Sequence, residues 1–387
     1  MNNKDKRIVY ADNAATTRLS VKAYEAMIPF LREQFGNPSS VYSLGRNAAK
    51  AVLEARKRVA DSLGADVQEI YFTSGGSEAD NWAIRSAAFA GAKSGKKHII
   101  TTSFEHHAVL RTCEFLQKQG FDVTYIRPDS KGLISPSQIA DAIREDTCLV
   151  TVMYANNEIG TIQPVSEIGE ICRSKGVTFH TDAVQAFGHV EINVKTQNID
   201  MLSLSGHKIH APKGVGVLYA SKRSETTPLI HGGSQERGRR AGTENVPAIA
   251  ALGAVIGDAV SGIAERTDRV RIMRDRLIDG LFERVPDITL NGDMTSRLDG
   301  NVNISIKGIE GESLLMLLDM EGICASSGSA CESSSLDPSH VLKSIGLDDN
   351  ASKGSLRLTI NEENTDEDIE YILDKLPKAI ERLRELS

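Results

Sequence analysis

No two of the five cysteines, at positions 113, 148, 172, 324 and 331, stand in a CxxC pair. That argues against zinc ribbons and thioredoxin-type redox pairs. Their odd number and irregular spacing also argue against a disulfide scaffold and for a reducing compartment. Positive charge is not in excess either. A formal net charge of −7 offers no general electrostatic attraction to nucleic acid or anionic lipid. The opening stretch MNNKDKRIVYADNAATT lacks an apolar h-region and a cleavage signal. No apolar run approaches membrane-spanning length, and repeats and low-complexity tracts are missing. What remains, with 387 residues, 40% hydrophobic and 25% charged, is the expectation of a cytoplasmic, enzyme-sized globular protein with room for more than one domain.

Seven short runs rich in β-branched and apolar residues read as strands: EIYFTSG, KHIITTSF, FDVTYIRP, TCLVTVMYANN, VTFHTDA, DMLSLSG and GVGVLYA. Helical patterns lie between several of them, such as SEADNWAIRSAAFAGA and HHAVLRTCEFLQKQG, the latter closing on a glycine. Strand and helix in alternation predict an α/β fold with a mainly parallel sheet covered on both faces. The last run follows its predecessor without a helix, which predicts an antiparallel strand there. From Val246 to about Val285 the apolar spacing predicts one long helix, with a bend, leading out of the first domain. The charged ERTDRVRIMRDR inside it reads as a solvated face rather than a basic binding patch. Further strands in NVNISI and SLRLTI, and a helix in DEDIEYILDKL, predict a smaller α+β domain. Pro377 is expected to divide that last helix from PKAIERLRELS.

Ligands of open α/β sheets sit at the carboxyl ends of the strands, and unusual residues cluster there. After the first run, Gly75, Gly76 and Ser77 precede a helix, an arrangement that suits a phosphate as well as an ordinary serine cap. The next end carries His106 and His107. Adjacent histidines point apart and no other lies at metal-ligand spacing, so no metal is expected. A ring that stacks on a flat group or moves a proton is one reading, and surface capping the other. Asn156, Asn157 and Glu158 close the following strand, where substrate binding and an ordinary turn are both open. Asp182 and Gln185 follow buried strand residues, and an ionised carboxylate there needs a cationic partner. Lys208, in a Ser-Gly-His-Lys turn, is placed to be a nucleophilic amine. An aspartate, a lysine on the next strand and an earlier anion cradle together fit pyridoxal 5'-phosphate. That cofactor needs a Schiff-base lysine, an acid for its ring nitrogen and a phosphate site.

These motifs resemble the cysteine desulfurases of the class V aminotransferase group, the NifS and IscS family, whose members have the fold of pyridoxal-phosphate-dependent transferases of type I. The resemblance runs nearly end to end, through YADNAATT, FGNPSSVYSLGRNA, TSGGSEADN, EIGTIQPV, HTDAVQ, SGHKIHAPKGVG, RRAGTENV and SSGSAC. It implies a large cofactor-binding domain over 16–258 with a seven-stranded sheet. A small domain would take 1–15 with 259–387. It implies that Lys208 holds the cofactor, Asp182 pairs with the ring nitrogen, Gln185 bonds the phenolic oxygen and His106 stacks on the ring. Phosphate contacts would come from Gly76, Ser77, Ser205 and His207, and from Thr243 of the second subunit of a homodimer. Asn157 and Arg357 would grip the substrate carboxylate. Many relatives carry threonine where Ser77 stands, so the hydroxyl is kept.

Cys331 lies in SSGSACESSSLDP, with no apolar stripe, aromatic or second cysteine close by. The resemblance makes it the residue that takes sulfur from L-cysteine as a persulfide, releasing L-alanine. Its small, polar surroundings would let it carry sulfur from the cofactor to an acceptor. Glu332, beside it, would disfavour the thiolate on close approach. The resemblance makes a sulfur-acceptor or iron–sulfur scaffold protein the expected partner class, although the chain ends at RLRELS, without the C-terminal extension with which IscS-type members engage a scaffold, which counts against that delivery. Rival readings are a selenocysteine lyase or other class V enzyme, a cofactor-free thiol hydrolase built on Cys331, and a non-catalytic assembly protein of the same fold. Burial is expected for Cys148 and Cys172, while Cys324 is either core or a second thiol.

Overall fold

A computed structural model describes residues 7–327 and 338–386; Cys331 and Glu332 lie outside them. All seven expected strands form. After β1 (Val9–Tyr10) come β2 (Ile70–Thr73), β3 (His98–Thr102), β4 (Asp122–Ile126), β5 (Thr147–Thr151), β6 (Thr178–Asp182), β7 (Met201–Ser205) and β8 (Gly216–Ala220). Strands β2 to β8 make one sheet in the order β2-β8-β7-β6-β5-β3-β4. The inner strands β3, β5, β7 and β8 are buried along their whole length, which is why they read as continuous apolar or β-branched runs. Strand β8 runs antiparallel to both β7 and β2, so β2 points the same way as β3, β5, β6 and β7. This one reversal matters for function: it brings the turn after β2 to the same edge as the four parallel strand ends.

Helices cover both faces of the sheet. On one side, α3 (Gly76–Ala92) and α4 (His107–Lys118) bury Trp82, Ile84, Val109 and Leu116. On the other, α2 (Ser43–Leu63) and the helix Val246–Val260 bury Val52, Val59, Ile249 and Leu252, with α1 (Val21–Arg32) packed against Val246–Val260. A separate core joins Val9 and Ala11 to Val270, Leu277, Ile304, Leu358 and Ile372. It is built on the antiparallel sheet of β9 (Ile288–Leu290), β10 (Asn301–Ile306) and β12 (Ser355–Thr359), with β1 pairing β11 (Ile323–Cys324) beside it. Exposure of Arg269, Arg271 and Arg276 agrees with a solvated face on that helix, although Arg274 is buried against Leu298 O and Asp275.

Two expectations are corrected. The single long helix after Val246 is two helices, Val246–Val260 and Ile263–Arg284, which meet at 76°. Gly262, at φ +62°, begins the second in the left-handed region that an L side chain resists. Apolar periodicity continues across the break, so it could not reveal the turn. Pro377 does not divide the C-terminal helix, which runs unbroken over Asp366–Leu386. A proline leaves the carbonyl four residues earlier without its amide donor. Here that carbonyl, Leu373 O, accepts Arg284 Nη1 at 2.8 Å, and tertiary structure supplies the missing bond. No single helix among the described residues is long and apolar enough to cross a membrane.

Candidate active site

Five strand ends deliver their residues to one cavity of about 220 Å³. Gly76 and Ser77 open α3 after β2, His106 follows β3, and Asn157 follows β5. Asp182 ends β6 with Gln185 one turn on, and Ser205, His207 and Lys208 lie at the end of β7. Arg357, from β12 of the smaller core, closes the cavity. Every expected site residue among those described is therefore brought together except Thr243, which is exposed and lines no part of this cavity.

Lys208 is partly buried and reaches across to the N-terminal segment. Its Nζ donates to Ala15 O at 2.7 Å and to Ala14 O. Gln185 Nε2 donates to the same Ala14 O at 2.9 Å, which fixes the amide's orientation. The NAATT motif thus serves as a rack of carbonyls for two site residues. Asp182 is 5% exposed, and its Oδ1 accepts Val184 N–H at 2.9 Å. Burial pushes its carboxyl up from the usual range, while His106, that amide and Lys208 pull it back. Lys208 is the cation that a carboxylate there requires, and His106 stands beside it in the same cavity.

His106 is the N-cap of α4. Its Nδ1 accepts Ala108 N–H at 3.1 Å, so the neutral ring carries its proton on Nε2. Burial holds this imidazole below its ordinary value, with Asp182 opposing. Surface capping and a place in the site are thus the same fact. His207 is likewise depressed, to about 4, by burial and by Lys208 and Lys213, and its Nδ1 meets Thr16 Oγ1 at 3.1 Å. It is uncharged at neutral pH and offers hydrogen bonds rather than charge. Arg357 is 1% exposed. It donates to Asn157 O at 3.0 Å and to Asp12 Oδ1 at 2.9 Å, and its Nε has no hydrogen-bond partner. Asn156, by contrast, is structural: its amide bonds Phe104 O and receives the amides of Glu158 and Ile159.

Three participants were not anticipated. Asp12 holds Arg357; Glu105 and Asp80 are fully buried acids beside Asp182. Burial raises Glu105 to about 8, against bonds to its Oε1 from Thr102 Oγ1 at 2.6 Å and Met153 N at 2.9 Å. Asp80 stands three residues after Ser77 on the same face of α3, a spacing that could have flagged it. Glu105 shows no such pattern. A flat, anionic ligand would find in this cavity a carboxylate, an imidazole, an amine, a helix start and a guanidinium, each from a different element.

Cys113, Cys148 and Cys172 are buried, with burial raising the Cys148 thiol to about 11, so none is a reactive thiolate. Cys324 is intermediate in exposure. The segment that carries Cys331 leaves the described chain at Ser327 and rejoins it at Pro338. Both ends adjoin the site. Ser326 pairs with Arg357 through the backbone, and Ser339 Oγ donates to Glu158 Oε2 at 2.5 Å.

Comparison with known proteins places the whole chain in a family. The sequence profile of the class-V aminotransferases matches residues 9–372. A cysteine desulfurase IscS of Methanosarcina thermophila is 54% identical over 383 residues, covering 99% of this chain and 94% of the relative. Among solved structures, a NifS-like protein superposes with a TM-score of 0.91 at 37% identity, over 97% of this chain and 100% of its own. A second, SspA in complex with cysteine, gives 0.81 at 38% identity, over 91% and 99%.

Proposed function

Because the chain belongs to the class-V aminotransferase family, and within it to the cysteine desulfurases, we propose that it converts L-cysteine to L-alanine with pyridoxal 5'-phosphate in the cavity and leaves the sulfur on Cys331. The observation that carries this is the convergence of Lys208, Asp182, His106 and Arg357 on one cavity from four separate elements. Fold alone would not establish the chemistry; this donor set argues for it.

The residues fit the cofactor. At Gly76 an added Cβ would lie 2.7 Å from Val184 Cγ2, so glycine fits the tight approach of α3 to the segment after Asp182 and leaves the helix start bare toward a phosphate. Ser77, Ser205 and a neutral His207 would add hydrogen bonds to that phosphate. Asp182 would face the ring nitrogen, His106 the ring, and the second N–H of Gln185 Nε2 the phenolic oxygen. When bound, the cofactor supplies an electron sink for the pair released at Cα.

Lys208 would hold the cofactor covalently until the substrate amine takes its place, and its freed amine would then remove the Cα proton. Arg357 Nε and Asn157 would receive the substrate carboxylate. Asp182, kept ionised by its neighbours, would keep the ring nitrogen protonated throughout. Cys331 would attack the substrate sulfur. An S–S bond forms and the C–S bond breaks with its electron pair returning to Cβ; protonation of Cβ, and return of a proton from Lys208 to Cα, give L-alanine. His106, with its proton on Nε2, is the group we assign to proton transfer at the thiols.

We further propose a homodimer in which Thr243 completes the phosphate site of the second subunit. Its exposure supports this, as does the run of exposed Val21, Tyr24, Leu31, Phe35, Val41 and Tyr42, an apolar face that a second copy would cover. The two packing units would be 16–258 and 1–15 with 259–387; the grouping of Val9 and Ala11 with the smaller core supports this. The sulfur would pass to an acceptor protein, an iron–sulfur scaffold among the candidates. The setting would be the cytoplasm, in keeping with four free cysteines among the described residues. The test is production of alanine from L-cysteine, without a keto-acid acceptor, by the cofactor-loaded protein. Lys208→Ala should abolish both the visible cofactor band and the reaction; alanine formation by that variant at the parent rate would overturn the assignment.

A further inference from the structure

Asp80 is a buried acid of the cavity to which the chemistry above gives no task. It projects from α3 one turn beyond Ser77 and is 1% exposed. One oxygen of Asp80, one of Asp182 and one ring nitrogen of His106 all lie within 4.8 Å of one another. The titratable groups that face it come from each element packed there. Strand β6 contributes Asp182 and His180, the segment after β3 contributes Glu105 and His106, and Lys208 lines the same cavity from beyond β7.

The two aspartates are not equivalent. Asp182 has the Val184 amide and the fields of His106 and Lys208 to favour its charge. Asp80 Oδ1 has no hydrogen-bond partner, and among the described residues the Ser203 hydroxyl is the one group that favours its charge. The nearest candidate cation, His180 Nε2 at 3.7 Å, instead meets Ser203 Oγ at 3.0 Å, and full burial holds that imidazole neutral down to about pH 3. Two buried carboxyls this close cannot both ionise at neutral pH. The charge therefore settles on Asp182, which has the backbone amide and the Lys208 cation, and the proton on Asp80, which has a single hydroxyl.

We propose that Asp80 is a positioning residue acting through Asp182: the two form a dyad with one proton, held by Asp80, so that a ring nitrogen facing Asp182 meets one negative charge and not two. Burial first, and Asp182 second, push the Asp80 carboxyl well above its ordinary range, which agrees. The dyad would give up its proton only in alkaline solution. The added charge would then tighten its hold on the ring nitrogen's proton and weaken the electron sink. The inference rests on the assignment of pyridoxal phosphate to this cavity.

The test follows the ring nitrogen itself. Parent, Asp80→Asn and Asp182→Asn proteins are loaded with cofactor labelled with nitrogen-15 in the ring and titrated by NMR from about pH 6 to about pH 10. Asp80→Asn should match the parent at neutral pH, since an uncharged amide replaces an uncharged acid. It should lack the alkaline shift that the parent shows. Asp182→Asn should have lost the nitrogen's proton already at neutral pH. The dyad is overturned if Asp80→Asn loses that proton at neutral pH, for Asp80 would then be a second anion. It is equally overturned if parent and Asp80→Asn follow one curve throughout. A parent-like signal in Asp182→Asn would instead refute the placing of the cofactor. Should Asp80→Asn not fold, the infrared carboxylic-acid band of Glu105→Gln at neutral pH decides: a buried protonated acid must remain in it, and its absence overturns the proposal.

Discussion

Replacing Arg357 by lysine separates carboxylate recognition from everything else the arginine does. The side chain is 1% exposed and already commits donors to Asn157 O and Asp12 Oδ1, leaving Nε without a partner. Lysine keeps a positive charge beside Asp12, so the local fold survives, but it loses the planar fork that could hold Asp12 and a substrate carboxylate together. The loss is one charge-assisted hydrogen bond, roughly 1.5–3 kcal/mol. At about 1.36 kcal/mol per decade, KM for L-cysteine should rise about 10- to 150-fold with kcat little changed. The assay is steady-state alanine formation with L-cysteine and with its methyl ester, which has no carboxylate. The ester should be equally poor for parent and variant, so the two changes together cost no more than either alone. If the variant lost as much on the ester as on the acid, or if kcat fell at constant KM, Arg357 would not be the carboxylate's partner.

Other outcomes follow from buried groups. Glu105, raised to about 8, holds a proton that the unfolded chain releases near its ordinary 4.5, so it costs stability as pH climbs between those values. Glu105→Gln should match the parent near pH 4.5 and gain about 3–5 kcal/mol over it by pH 8, by urea denaturation. Glu236 accepts Arg56 bidentately at 2.7 Å and also the Phe72 amide, all out of water. Glu236→Gln should therefore cost about 3–5 kcal/mol, read as an earlier denaturation midpoint at unchanged slope. Pro377→Ala should stabilise by about 2 kcal/mol. Proline's cost of about 3 kcal/mol against alanine in a helix is offset by about 1 kcal/mol from Arg284, whose bond the new amide would take over.

Six of the seven strands of the large sheet, all but the edge strand β4, are legible because each is fully or mostly buried, and burial writes β-branched apolar runs into the sequence. The site was legible for a related reason: Ser77, His106, Asn157, Asp182 and Lys208 each end or follow such a run, where a polar group has no packing purpose. Asp80 escaped although its spacing from Ser77 could have flagged it, because acids near a helix start are ordinary; Glu105 escaped because only burial makes it unusual. Asp12 escaped because its partner is 345 residues away. The continuity through Pro377 depends on a tertiary contact that no local pattern encodes. Arg284 donating to Leu373 O is that contact, since the sequence shows the break in bonding and not its repair.

The central claim is that sulfur leaves L-cysteine for Cys331. Its most direct test is mass spectrometry of the peptide containing Cys331 after a single turnover without reductant, with alanine counted in the same sample. The expected result is one sulfur atom gained on Cys331 for each alanine formed, and neither product in Cys331→Ser. Alanine formed by Cys331→Ser at the parent rate, or sulfur found on another cysteine, would contradict it.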